Sequence, residues 1–186
     1  MRPILLAVVA AALLAACGRG GASPLPADQP PAFNDADVGF LQSMIPHHQQ
    51  AISMAKLATG RTRRPELGKL AATITTRHAT EIGSMQAWLT RWQQPAAGGA
   101  SSDDDPSLLP GMLAKGQLAW LQTLTGIQFD LGFLTMMGTH HSGAVELAEA
   151  ELRSGASAEV KAFAGQMIAA QQREIRQMQQ WKDTWT

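Results

Sequence analysis

The chain contains one cysteine, Cys17, so no intrachain disulfide can staple the fold. It also lacks an excess of charge: 15 basic residues balance 15 acidic ones. That leaves no basic footprint for nucleic acid. No apolar run after Cys17 is long enough to span a bilayer. There is no Cys-x-x-Cys-His, no phosphate-binding loop and no serine-nucleophile motif, which removes covalent haem and the commonest nucleotide and acyl-transfer chemistries. No stretch alternates with the period of a strand. What remains is an all-α chain, unusual in where its histidines and methionines fall.

The first residues read as a leader rather than as part of the fold. Met1-Arg2-Pro3 carries one positive charge, and Ile4 to Ala16 is an apolar run of about a dozen residues, the length of a signal-peptide core. It ends in Leu14-Ala15-Ala16-Cys17, which resembles a lipobox. This predicts a signal peptide over residues 1–16 and acylation of Cys17. The product is an exported lipoprotein, anchored to a membrane through Cys17 and facing the periplasm or cell exterior. With Cys17 acylated no free thiol remains, in a compartment where thiols oxidise. A soft-metal site would then have to use thioether and imidazole. Residues 17–32, rich in Gly and Pro, read as a flexible tether, and 33–186 as a single domain.

That domain is organised around Met44-Ile45-Pro46-His47-His48-Gln49-Gln50-Ala51, because the frame returns 93 positions later as Met137-Gly138-Thr139-His140-His141-Ser142-Gly143-Ala144. The same shift, without a gap, matches Asp37 to Asp130, Phe40-Leu41 to Phe133-Leu134 and Glu81-Ile82 to Glu174-Ile175. It also matches Met85 to Met178, Trp88 to Trp181 and Trp92 to Trp185. Unrelated helices would not share this frame. The chain is a duplicated helical hairpin, with repeats at about 33–93 and 126–186 and a linker over 94–125.

Helical spacing places the first helix from an Asn34 or Asp35 cap to about Thr59, with a kink or a new start expected at Pro46. The second runs from Pro65 to about Trp92. A short helix is expected at about 112–124, and long ones at about 127–154 and 158–185. Two hairpins, each with one apolar face, bury those faces against each other as an antiparallel four-helix bundle, with the short extra helix between the halves.

Met44 lies three and four residues before His47 and His48, so all three are neighbours on one helix. On the next helix His78, Glu81 and Met85 share a stripe. Methionine sulfur is a soft donor suited to Cu(I), and imidazole suits Cu(I) and Cu(II). The candidate ligands are therefore Met44, His47, His48, Met54, His78 and Met85 in the first hairpin. Those of the second are Met136, Met137, His140, His141 and Met178. Glu81 and Glu174 are candidates to orient a ligand histidine. The second half is poorer, since Gln171 replaces His78 and Leu147 replaces Met54. Copper, most readily Cu(I), with Ag(I) or Cu(II) as alternatives, is the expected ion. A competing reading is a structural or partner-binding lipoprotein in which Met and His only pack. A di-iron oxidase is a weaker competitor, because such bundles need a carboxylate on every helix and the first helix has no glutamate. An enzyme is not expected, and the sequence names no protein partner.

The joint pattern resembles the ferritin-like domain-of-unknown-function family numbered 305, over nearly all of 33–186. It is carried by the two Met-x-x-His-His frames, Phe129-Asp130 with Phe133-Leu134, and Glu-Ile-x-x-Met-x-x-Trp at Glu81 and Glu174. The resemblance implies an extracytoplasmic binder of copper or silver, since the family includes a periplasmic copper-binding protein.

Overall fold

In the computed structural model, residues 32–96 and 109–185 are described. The signal segment, Cys17, most of the tether and the middle of the linker lie outside them. Five helices make up the fold: α1 (Asp35–Lys56), α2 (Pro65–Arg91), α3 (Lys115–Thr123), α4 (Gly126–Ser154) and α5 (Ala158–Trp185). There is no strand among the described residues, and no described helix is long and apolar enough to cross a membrane.

Local chemistry sets the helix ends. The Asn34 side chain accepts from the backbone N–H groups of Ala36 and Asp37, while Asp37 accepts from the Asn34 N–H, a reciprocal cap. Pro65 opens α2 in the first turn, where its missing N–H costs nothing. Gly60 takes a positive φ of 78° in the α1–α2 turn. α1 runs unbroken through Pro46, so the expected new start there does not occur. Met44, Ile45, His47 and His48 are all buried on either side of the proline. Their packing keeps the two turns in one helix despite the lost hydrogen bond.

Four long helices form the antiparallel bundle. The start of α1 meets the end of α4, where the Asn34 amide donates to the Ser154 carbonyl. The end of α1 meets the start of α4, where Gly126 N–H donates to the Arg61 carbonyl. Asp37 also accepts from Ala156 and Ser157 N–H, which ties α1 to the α4–α5 turn. α1 packs on α2 and on α4, and α4 on α5. α2 and α5 meet through long side chains: Arg77 reaches Glu174, and Arg91 and Trp88 both reach Glu159.

The apolar core is divided in two. Phe40, Leu41, Met44, Met85, Leu89, Val160 and Met167 belong to one cluster. Met54, Leu67, Ile74, Phe129, Phe133, Met137 and Met178 belong to the other. On α1 and α4 the paired histidines fall between the residues of the two clusters.

The linker is fastened across the α1–α4 seam. Gln50 bonds both the N–H and the carbonyl of Leu113, and the Pro110 carbonyl lies against His47. Gly143 stands where the repeat has Gln50, and a Cβ there would overlap the Pro110 carbonyl. Gly111, at φ 77°, is also confined: a Cβ there would fall 2.7 and 2.9 Å from the carbonyl oxygens of Thr139 and His140. Gly143→Ala must therefore push the strap off α4, since the atoms it meets are backbone. We expect a loss of about 1–3 kcal/mol, read by denaturant unfolding. A variant as stable as the parent would show that the strap is not seated this way.

Candidate metal centre

All five histidines of the chain are buried, and they meet in one layer across the bundle. The rings of His48 and His78 stack at 3.9 Å, and His47 and His140 approach to the same centroid distance. His78 lies 5.7 Å from His141, and His141 lies 6.4 Å from His140. Two carboxylates complete the layer. His48 Nε2 is 2.8 Å from Glu81 Oε2, and His141 Nε2 is 2.7 Å from Glu174 Oε2, the same contact repeated in each hairpin.

These contacts fix the tautomers. A carboxylate or a carbonyl only accepts, so Nε2–H donates in His48, in His141 and in His47, which bonds the Pro110 carbonyl at 2.9 Å. In a neutral ring Nδ1 then carries the bare lone pair. The Nδ1 atoms of all three rings are buried without a hydrogen-bond partner, and His140 has no partner at either nitrogen. Buried polar atoms are normally paired. A row of unpaired imidazole lone pairs is the donor set a transition-metal ion requires.

The charge state fits. Burial holds His47 and His78 down to about 4, and holds His140 well below the ordinary imidazole value. It also lowers His48 and His141, against the opposing pull of Glu81 and Glu174. The rings are therefore neutral at pH 7. Burial alone would raise Glu81 and Glu174, but the contacts from His48 and His78, and from His141 and Arg77, outweigh it and bring both carboxyls to about 2. Each carboxylate orients a ring and raises its basicity, as expected of partners behind metal-bound histidines.

Among the described residues one group gathers three potential ligands around a common point. One ligand atom each from His48, His78 and Glu81 lies within 4.8 Å of the others. His78 Nδ1 is 3.3 Å from the Glu81 oxygen that His48 also contacts. The corresponding corner of the second hairpin has His141 and Glu174, but Gln171 in place of His78. Gln171 is buried with its amide unpartnered at both atoms.

The methionines are distributed differently. Met44 and Met85 sit in one apolar cluster, and Met54, Met137 and Met178 in the other. Met44 and Met137 stand one helical turn before the two histidine pairs. Met136 is only half-buried and lines a groove with Trp120, Leu124 and Gln128. It lies where α3 packs on α4, apart from the histidine layer. Periodicity alone did not separate the thioethers of the apolar clusters from the imidazoles of the layer.

Sequence reasoning missed Arg77. Its guanidinium forms a two-pronged pair with Glu174, at 2.5 and 2.7 Å, and its Nε lies 3.6 Å from Glu81. The available signal was a break in the repeat, since Ala170 stands at the matching position. Trp88, Trp92, Trp181 and Trp185 are half-buried against the two apolar clusters, and Trp185 also carries the Arg64 guanidinium 4.1 Å from its ring centroid.

The fold and the layer define a class: duplicated-hairpin, ferritin-like four-helix bundles with a histidine-lined interior. The chain belongs to the family described as Domain of unknown function (DUF305), whose model matches residues 37–182. A DUF305 fragment from Deinococcus radiodurans is 30% identical with a TM-score of 0.73, over 81% of this chain and 97% of that one. A DUF305 protein from Streptomyces coelicolor is 34% identical with a TM-score of 0.70, over 77% and 89% of the two chains. CopM in its Cu(I)-bound form is 33% identical with a TM-score of 0.67, over 80% and 96%. CopM has also been solved with Cu(II) and with Ag bound. Uncharacterized protein L153 of Acanthamoeba polyphaga mimivirus is 41% identical over 58 residues, a stretch covering 38% of that protein's length.

Proposed function

We propose that this chain is an exported, membrane-anchored lipoprotein that binds copper in its histidine layer, for sequestration or tolerance of the metal. The observation that carries the reading is the gathering of all five buried histidines in one layer, with their Nδ1 atoms unpaired and three of the rings against two carboxylates. CopM, alike over most of both chains and solved with copper and silver bound, supports it. Lipidation at Cys17 would hold the protein to the membrane surface.

His48 and His78 would hold the ion, with Glu81 beside it and His47, His140 and His141 in the same layer. Met44 and Met137 are the thioethers nearest along the chain. Imidazole with thioether favours Cu(I), and Ag(I) shares that preference; imidazole with carboxylate also accepts Cu(II). The bound ion would supply the positive charge that the layer's two carboxylates and one arginine leave unbalanced. Sequestration or tolerance is the role, rather than oxidase catalysis, because two carboxylates are too few for a di-iron site.

Thermal melting tests the reading. An ion held by the folded chain alone raises stability by about 2.7 kcal/mol at a hundredfold excess over its dissociation constant. We expect Cu(I) under reducing conditions, or Ag(I), to raise the Tm by several degrees. Met44→Leu/Met137→Leu keeps volume and apolarity, so it should cost under ~1.5 kcal/mol per site in the metal-free protein and reduce the Cu(I) shift. No shift in the parent would leave the structural-lipoprotein reading standing.

A further inference from the structure

The two halves of the histidine layer repeat one another closely, yet they are not charged alike. His48 with Glu81 and His141 with Glu174 are the same contact, at 2.8 and 2.7 Å. Beside Glu81 stands a third group, His78, which completes the three-ligand cluster. Beside Glu174 stands instead a cation. Arg77 reaches across from α2 and binds both oxygens of Glu174. Counting the layer's ionised groups, Glu81 and Glu174 contribute two negative charges and Arg77 one positive, so one negative charge is left over. Glu174 is the carboxylate with a full partner, whereas Glu81 has Arg77 Nε only at 3.6 Å.

The sequence breaks its repeat at both positions that create this difference. Arg77 matches Ala170, and His78 matches Gln171. Gln171 is buried, with neither amide atom hydrogen-bonded, so it takes the place of a ligand without replacing its contacts.

We propose that Arg77 is the resident cation of the second half of the layer: it occupies, at Glu174, the charge position that a metal ion takes beside Glu81. Arg77 and Gln171 together restrict the layer to one ion. This rests on the proposed function and deepens it, by naming the residues that set stoichiometry and choose the half that binds. Arg77 is a specificity-determining residue that need not touch the ion. A guanidinium held at Glu174 repels a second cation there and leaves Glu81 as the uncompensated charge that attracts the first.

The experiment is equilibrium dialysis of the full chain against Ag(I), which needs no reductant, followed by metal analysis. The parent should hold one tightly bound equivalent. Gln171→His alone should also hold one, because Arg77 still neutralises Glu174. Arg77→Ala/Gln171→His, which makes the two halves alike at these positions, should hold two. Arg77→Gln/Gln171→His keeps a hydrogen-bonding group toward Glu174 and serves where the alanine variant does not fold; it too should hold two. Far-ultraviolet circular dichroism verifies the helices in each case. Should the parent hold one equivalent and the folded double variants also hold one, the assignment of Arg77 is overturned while the binding reading stands. A parent holding two equivalents overturns the assignment as well. A parent holding none overturns both.

Discussion

Acidified below pH 6 without metal, the protein should unfold steeply, with its midpoint above pH 4. The cause is the buried layer. An unfolded histidine takes up a proton near 6.5, whereas burial holds His47 and His78 down to about 4 and His140 lower still. Between those values the unfolded chain binds protons that the folded chain refuses. The histidines' contribution to stability is therefore complete above about pH 6.5 and is lost as the pH falls toward 4. Glu81 and Glu174, depressed to about 2, add a loss of the same sign below pH 4.5. Glu151 acts oppositely. Burial and the adjacent Asp37 push it up to about 8, so its contribution improves as pH falls from 8 to 4.5. One such proton offsets one of these three histidines and leaves a net difference of about two. At ~1.4 kcal/mol per proton per pH unit, the slope near pH 5 is about 3 kcal/mol per unit. Against a total stability of about 5–15 kcal/mol, a drop of two units is decisive. Circular dichroism at 222 nm across pH 7 to 3 checks this. A protein still folded at pH 4 would show that the imidazoles are not sealed from water.

Much of this architecture is legible in the sequence. The 93-residue repeat gives two hairpins, and Asn34, Pro65 and Gly60 mark the helix boundaries to within a few residues. The inward placement of both histidine pairs and His78, with Glu81 and Glu174 beside them, follows from helical spacing combined with that repeat. The fate of the methionines did not follow. Spacing shows that Met54, Met85 and Met178 face inward, but not that they lie in apolar clusters. Nor did spacing place the linker over His47 or Arg77 on Glu174, because both depend on packing between segments that share no periodic pattern. Each is nonetheless signposted by a mismatch between the halves: Gln50 against Gly143 for the strap, and Arg77 against Ala170 for the cation. In a duplicated fold, common positions report the scaffold and departures report what one half does alone.

His140→Leu should have effects of opposite sign on stability and on binding. Both ring nitrogens of His140 are buried without a partner. Each such atom forfeits a hydrogen bond it would make with water, at a cost of about 1–3 kcal/mol. Leucine fills a similar space and has no polar atom, so the metal-free variant should be more stable than the parent by about 1–3 kcal/mol, or roughly 2–4 °C in Tm for each kcal/mol. A histidine selected only for packing would lose stability on this change. Retaining a costly residue is the pattern expected where function and stability conflict. Metal binding should fall in the same variant, and further in His48→Leu/His140→Leu, which also removes the ring paired with Glu81.

The most direct test of a metal centre in the histidine layer is copper retained per chain after dialysis under reducing conditions, for the parent and for His48→Leu/His140→Leu at equal helicity. The parent should retain copper and the variant should lose it. Equal retention in both, or none in the parent, would contradict the account.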